Sequence, residues 1–123
     1  MIVTAALAAC DRPTDARRPA SPARPPLRVE VRMREWALDL HDSLPAGPIT
    51  FVVRDAGHDD HAFRIHGNGV DAATRVLEPG LAATLTVTLP PGTYTVECPV
   101  DEPEENENHA LMGMRRSLTV RAP

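Results

Sequence analysis

From Val29 onward, apolar and polar residues alternate in short runs broken by Pro and Gly, and no stretch shows the recurrence of an amphipathic helix. VEVRMREWALDL puts Val29, Val31 and Met33 on one face. Trp36, Leu38 and Leu40 then carry an apolar face with the parity shifted by one, which predicts a β-bulge near Glu35. Pro45-Ala46-Gly47-Pro48 is a turn, followed by ITFVVRDAG with Ile49, Phe51 and Val53 on one face. HAFRIHG alternates Phe63 and Ile65 with Arg64. After a turn at Glu78-Pro79-Gly80, TLTVTLP alternates Leu85, Val87 and Leu89 with threonines. Pro91-Gly92 leads into TYTVEC, where Tyr94, Val96 and Cys98 share a face, and SLTVR closes with Leu118 and Val120 inward. Short strands at regular spacing with Pro/Gly turns predict an all-β domain, a two-sheet antiparallel Greek-key sandwich over residues 29–123. Met33 and Trp36 are expected in its core, and His41 in a solvated turn.

Composition changes this picture in three places. A chain of 123 residues, 42% of them hydrophobic, is sufficient for one domain with a real core, built mainly from Val, Leu, Ile and Ala because aromatics are scarce. The charge is uneven: residues 11–28 hold five Arg and two Asp, whereas the body is acidic enough to bring the whole chain to −4. An acidic body argues against nucleic-acid binding, which needs a basic face. The segment DRPTDARRPASPARPPLR, residues 11–28, carries five prolines and almost no bulky apolar side chain. It reads as a flexible linker.

Ahead of it, MIVTAALAAC ends in Leu7-Ala8-Ala9-Cys10, which resembles the lipobox of a bacterial lipoprotein signal. Residues 1–10 therefore read as a truncated signal, with Cys10 as the lipidation site, and imply a lipid-anchored protein on the periplasmic or extracytoplasmic face of a membrane. With Cys10 lipidated, Cys98 has no disulfide partner in the chain. An unpaired thiol in an oxidising compartment is a liability unless it is buried, pairs between chains or holds a metal.

A sandwich closes its end with loops, so distant residues can converge there. Cys98 at a strand end, His109 and Met114 in the next loop, and a histidine from an earlier strand are the candidates. His61 opens HAFRI and is the natural fourth member; His58 and His66 are its rivals, as Met112 is for Met114. Two imidazoles, a thiolate and a weakly held thioether are the donor set of a trigonal copper site with a long axial ligand. Thiolate and thioether favour Cu(I), while imidazole serves both oxidation states.

At this point the chain resembles the cupredoxins, the blue-copper family of plastocyanin-like domains. PGTYTVEC (Pro91 to Cys98), HALMGM (His109 to Met114), the closing MRRSLTV and the upstream RDAGHDDHAFRI match that family's strand, turn and ligand pattern. The resemblance favours His61 over its rivals, and Met114 over Met112 because it keeps four residues between His and Met. It implies one type 1 copper held by His61, Cys98, His109 and Met114, and a one-electron carrier, not an enzyme. The implied partner is a redox protein such as a c-type cytochrome or a membrane oxidoreductase. Family members usually carry Asn in the turn near the first ligand His; Asp55 stands there in this chain. Ten residues separate Cys98 from His109, including Asp101, Glu102, Glu104, Glu105 and Glu107. These acids read either as a solvated loop or as a docking rim that steers a basic partner to the edge of His109. A copper module for delivery, storage or sensing, and a metal-free interaction sandwich, are the competing functions.

Overall fold

The computed structural model describes residues 25–123; the signal with Cys10 and most of the linker lie outside the described residues. The elements in order are β1 (Leu27–Arg34), β2 (Ala37–Asp39), β3 (Ser43–Pro45), β4 (Gly47–Asp55), β5 (Arg64–Gly67), β6 (Val70–Ala73), β7 (Ala82–Leu89), β8 (Gly92–Glu97), β9 (Asp101–Glu102), β10 (Glu107–Asn108) and β11 (Arg115–Arg121). One sheet has the order β2-β1-β4-β7 and the other β3-β11-β8-β5-β6; β9 and β10 form a separate ribbon. The expected all-β sandwich is present.

Its sheets are mixed, however, and not purely antiparallel. β1 runs parallel to β4, from Leu27 opposite Ile49 to Met33 opposite Asp55, and β11 runs parallel to β3. Period-2 alternation fixes which face of a strand is buried but carries no information on the direction of its neighbour. The bulge expected near Glu35 is also replaced. Glu35 and Trp36 form the turn of a tight β1–β2 hairpin, in which Met33 pairs with Leu38 and Arg34 with Ala37. An even-numbered turn shifts the parity just as a bulge would, which is why the pattern could not separate the two. Pro45-Ala46-Gly47-Pro48 is a corner where the chain passes from one sheet to the other, held by the Ala46 N–H donating to the Arg121 carbonyl at 2.7 Å.

The core lies between the sheets. Val29, Val31, Met33, Ile49, Phe51, Val53 and Leu89 from one layer face Ile65, Tyr94, Val96, Leu118 and Val120 from the other, all buried. The rings of Phe51 and Phe63 lie 5.1 Å apart across the interior. Burial of such side chains contributes roughly 1.5–3 kcal/mol each. The Tyr94 hydroxyl, at the inner end of an otherwise apolar ring, donates to the Pro90 carbonyl at 2.6 Å, so its burial leaves no unpaired donor.

Candidate metal centre

Cys98 follows β8 directly and continues the inward parity of Tyr94 and Val96; all three are buried. Its N–H donates to the Met114 carbonyl at 2.9 Å, which extends the β8–β11 ladder by one step. The ten residues that follow leave as the β9–β10 ribbon, with Glu102 opposite Glu107 and Asp101 opposite Asn108. Its tip is a 3-10 turn, Pro103–Glu105, closed by Asn106 in the left-handed region at φ 56°. Extruding these residues brings the chain back on itself. The His109 N–H donates to the Val100 carbonyl at 3.1 Å, and the Met114 N–H to the His109 carbonyl at 3.0 Å. The long insertion therefore adds a ribbon without displacing His109.

His61 arrives from the other side, clamped by reciprocal backbone hydrogen bonds with Leu77 at 3.0 and 2.7 Å. The result is a triangle: Cys98 Sγ to His109 Nδ1 is 3.6 Å, Cys98 Sγ to His61 Nδ1 is 4.0 Å, and the two Nδ1 atoms are 3.1 Å apart. All three side chains are fully buried. The Ala62 N–H points at Cys98 Sγ from 3.4 Å, a donor suited to a thiolate. With metal–nitrogen and metal–sulfur bonds of about 2.0–2.1 and 2.3 Å, a trigonal ion would space two nitrogens by about 3.5 Å and a sulfur from each nitrogen by about 3.8 Å. The observed triangle fits one ion with modest adjustment.

The other sequence candidates separate clearly. Met114 is fully buried, its backbone tied to both Cys98 and His109, whereas Met112 is 39% exposed. His58 is exposed. His66 lies on β5, where its Nε2 pairs with Glu97 Oε1 at 3.1 Å beside Arg64. Trp36, expected in the core, is half-buried above the triangle, with its ring 4.9 Å from that of His109 and 6.3 Å from that of His61. Gly113 permits this approach, since a Cβ there would lie 2.6 Å from the Trp36 carbonyl oxygen. His41 is exposed, as a solvated residue should be.

No protein-family model and no curated protein matches this sequence. Solved structures do. Dithionite-reduced auracyanin from the photosynthetic bacterium Roseiflexus castenholzii aligns over 76% of this chain and 96% of its own, at 24% identity and a TM-score of 0.61. Auracyanin A, a "blue" copper protein from the green thermophilic bacterium Chloroflexus aurantiacus, aligns over 78% and 99% at 16% identity and a TM-score of 0.61. The fold is that of the cupredoxins. It is also shared by larger proteins: the copper-containing nitrite reductase of Thermus scotoductus aligns over 78% of this chain but 27% of its own, at 16% identity and a TM-score of 0.53.

Around this site two carboxylates stand out. Glu35, which nothing in the sequence marks as functional, sits in the β1–β2 turn. Its Oε1 accepts from His61 Nε2 at 2.9 Å, from the His58 N–H at 2.8 Å and from the Asp59 N–H at 2.7 Å. Burial works against its charge, but the hydrogen bonds from Asp59, His58 and His61 outweigh it and hold its pKa at about 2. The Nε2 edge of the His61 ring thus faces Glu35, and its Nδ1 edge faces the triangle.

The second is Asp55, fully buried at the end of β4. Its Oδ1 accepts from the Gly57 N–H at 2.9 Å while its Oδ2 has no partner. Burial pushes its pKa up, the neighbouring Glu35 charge adds to this, and the Gly57 N–H opposes it. A carboxyl whose folded pKa is raised loses stability as pH climbs through its ordinary value of 3.8 and beyond. Asp55→Asn removes that buried charge and is expected to stabilise the domain by about 1 kcal/mol at pH 7 and by less near pH 4. Thermal melts at the two pH values check this. A variant less stable than the parent at pH 7 would contradict it.

Proposed function

We propose that this protein is a type 1 copper protein, a one-electron carrier of the bacterial cell envelope. The observation that carries the reading is the buried triangle of His61 Nδ1, Cys98 Sγ and His109 Nδ1 at the end of a cupredoxin sandwich. One thiolate and two imidazoles in a plane, with buried Met114 as the weak fourth ligand, are the donors that suit copper in both oxidation states. Bound copper would supply a Cu(I)/Cu(II) couple. His61 is held by its backbone clamp to Leu77 and by Glu35, and Cys98 by the strand ladder and the Ala62 N–H. Trp36 covers the two rings and excludes water. A site held this firmly from three elements leaves its donors in place when the charge on the ion changes, and leaves no open position for a substrate. That favours electron transfer over catalysis.

Burial favours retention of the ion over delivery, storage or sensing, which need the donors to open. A metal-free sandwich is disfavoured because it would bury a thiol and two imidazoles with their Sγ and Nδ1 atoms turned toward one another and no ion between them. Leu7-Ala8-Ala9-Cys10 supports attachment through Cys10 to the extracytoplasmic face of a membrane. The β9–β10 ribbon supports docking of a basic redox partner, such as a c-type cytochrome or a membrane oxidoreductase. Glu102 Oε1 lies 3.6 Å from His109 Nε2, with Glu105 and Glu107 beside it.

Voltammetry of the copper-loaded protein tests the reading. A reversible one-electron couple is expected, with copper retained against a Cu(I) chelator; rapid copper loss without a reversible couple would assign delivery instead. Electron exchange with a basic cytochrome should slow as salt rises. A rate indifferent to salt would remove the docking role of the acidic ribbon.

Copper binding should also depend on pH. Burial raises the pKa of the Cys98 thiol, against the N–H groups of Ala62 and Val100, and burial together with His61 lowers that of His109. The metal-free site at neutral pH is thus a neutral thiol beside a neutral imidazole. Entry of copper must expel one thiol proton, so affinity should rise about tenfold per pH unit across the neutral range. Chelator competition at pH 6, 7 and 8 measures it, and an affinity flat across that range would show that Cys98 is not the proton source.

A further inference from the structure

Glu35 is the only charged side chain in direct contact with the triangle's outer nitrogens at hydrogen-bonding distance, among the described residues. Three donors converge on one of its oxygens: His61 Nε2, and the backbone N–H groups of His58 and Asp59. The space it occupies is itself provided by the sequence. A Cβ built on Gly57 would sit 2.5 and 2.6 Å from the two carboxylate oxygens, so any larger residue there would expel the carboxylate. Gly57 does not have a positive φ, so its lack of a side chain answers to Glu35 and not to backbone strain. Glu35 therefore joins three pieces: the β1–β2 turn, the 57–59 segment and the ring of His61.

We propose that Glu35 is a positioning residue of the metal centre: it fixes His61 as the Nε2–H tautomer with Nδ1 bare toward Cys98 and His109, and its charge biases a bound copper ion toward Cu(II). The first half follows from the hydrogen bond. A neutral imidazole has one N–H, and a carboxylate that accepts it leaves the other nitrogen free as a donor to metal. The second half rests on the copper reading above. A fixed negative charge on the far side of a ligand ring makes that ring a stronger donor and stabilises the more positive ion, most effectively where water is excluded.

Three variants separate the two halves. Glu35→Gln keeps an oxygen acceptor for His61 but removes the charge. Glu35→Ala removes both, and Gly57→Ala pushes the carboxylate out while leaving it in the chain. In the metal-free protein, nitrogen-15 NMR of the His61 ring should show the Nε2–H tautomer in the parent and in Glu35→Gln, and a mixture of tautomers in Glu35→Ala and Gly57→Ala. In the copper-loaded protein, Glu35→Gln should shift the Cu(I):Cu(II) ratio at a fixed potential about tenfold toward Cu(I), which is about 59 mV for a one-electron couple. Glu35→Ala should shift it in the same direction. A parent protein with its His61 proton on Nδ1 would overturn the positioning role, whether or not copper binds. A Glu35→Gln couple identical to that of the parent would overturn the role of the charge. Failure of the parent to bind copper would instead sink the electron-carrier reading, with the tautomer measurement still deciding the role of Glu35.

Discussion

Replacing Cys98 by serine is expected to abolish the intense thiolate-to-copper absorption of the loaded protein. It should lower copper affinity by more than the 10- to 100-fold typical of substitutions outside the ligand set, roughly. Cys98 is the only sulfur anion that the triangle offers, and a serine hydroxyl neither ionises near neutral pH nor matches the softness of copper. The same change should barely disturb the fold. Serine is close to cysteine in size, and its hydroxyl can accept from the Ala62 N–H that now points at the sulfur from 3.4 Å. The cost to the metal-free domain should be about 1 kcal/mol. Circular dichroism and a urea titration without metal, set beside a copper titration, separate the two effects. A serine variant that keeps the absorption would exclude Cys98 as a ligand.

The largest effect on stability is expected at Phe51. It is fully buried on β4, the strand flanked by β1 on one side and β7 on the other. Its ring lies 5.1 Å from that of Phe63, two residues along the chain from His61. Phe51→Ala leaves a cavity that the two paired neighbours of β4 prevent from collapsing, so a loss of about 3–5 kcal/mol is expected. That is a large part of the 5–15 kcal/mol that holds an ordinary domain folded, roughly. Urea denaturation should show a lower midpoint with an unchanged slope. The cavity would also lie beneath the segment that carries His61, so copper affinity should fall with stability. A loss below about 1 kcal/mol would mean that the two sheets close over the gap, contrary to the packing described.

Much of this was legible in residue order because alternation reports burial directly. Ile49, Phe51 and Val53, then Tyr94, Val96 and Cys98, then Leu118 and Val120 face inward as their parity demands. What alternation could not carry was pairing. The parallel β1–β4 and β3–β11 neighbours depend on where the chain crosses between sheets, and β2, β3, β9 and β10 are two or three residues long, too short for a period to register. The β5–β6 hairpin had a separate signal. Asn68-Gly69 in HGNGV adopts positive φ at both positions, the geometry that joins tightly paired strands. Trp36, expected in the core, packs against its edge and is half-buried. A large ring on an apolar parity belongs in a core by composition, yet here it covers two buried imidazoles at the rim of the sandwich.

The candidate site divides in the same way. His61, Cys98 and His109 stand out because their donor types are uncommon and their places relative to strand ends are informative. Glu35 does not stand out at all. It is one of many acids in the chain, and its role exists only because a turn meets a loop more than twenty residues away. The acidic insertion between Cys98 and His109 has no apolar pattern by which its course could be read. Only the ladder between Glu102 and Glu107 shows that it leaves the scaffold and returns with His109 in reach of Cys98.

The most direct test of the central claim is a titration of the purified, metal-free protein with Cu(II), followed in the visible spectrum. If His61, Cys98 and His109 together hold one soft ion, an intense thiolate charge-transfer band should grow linearly and stop at one copper per chain. A solution that stays colourless through the addition of a full equivalent would contradict it.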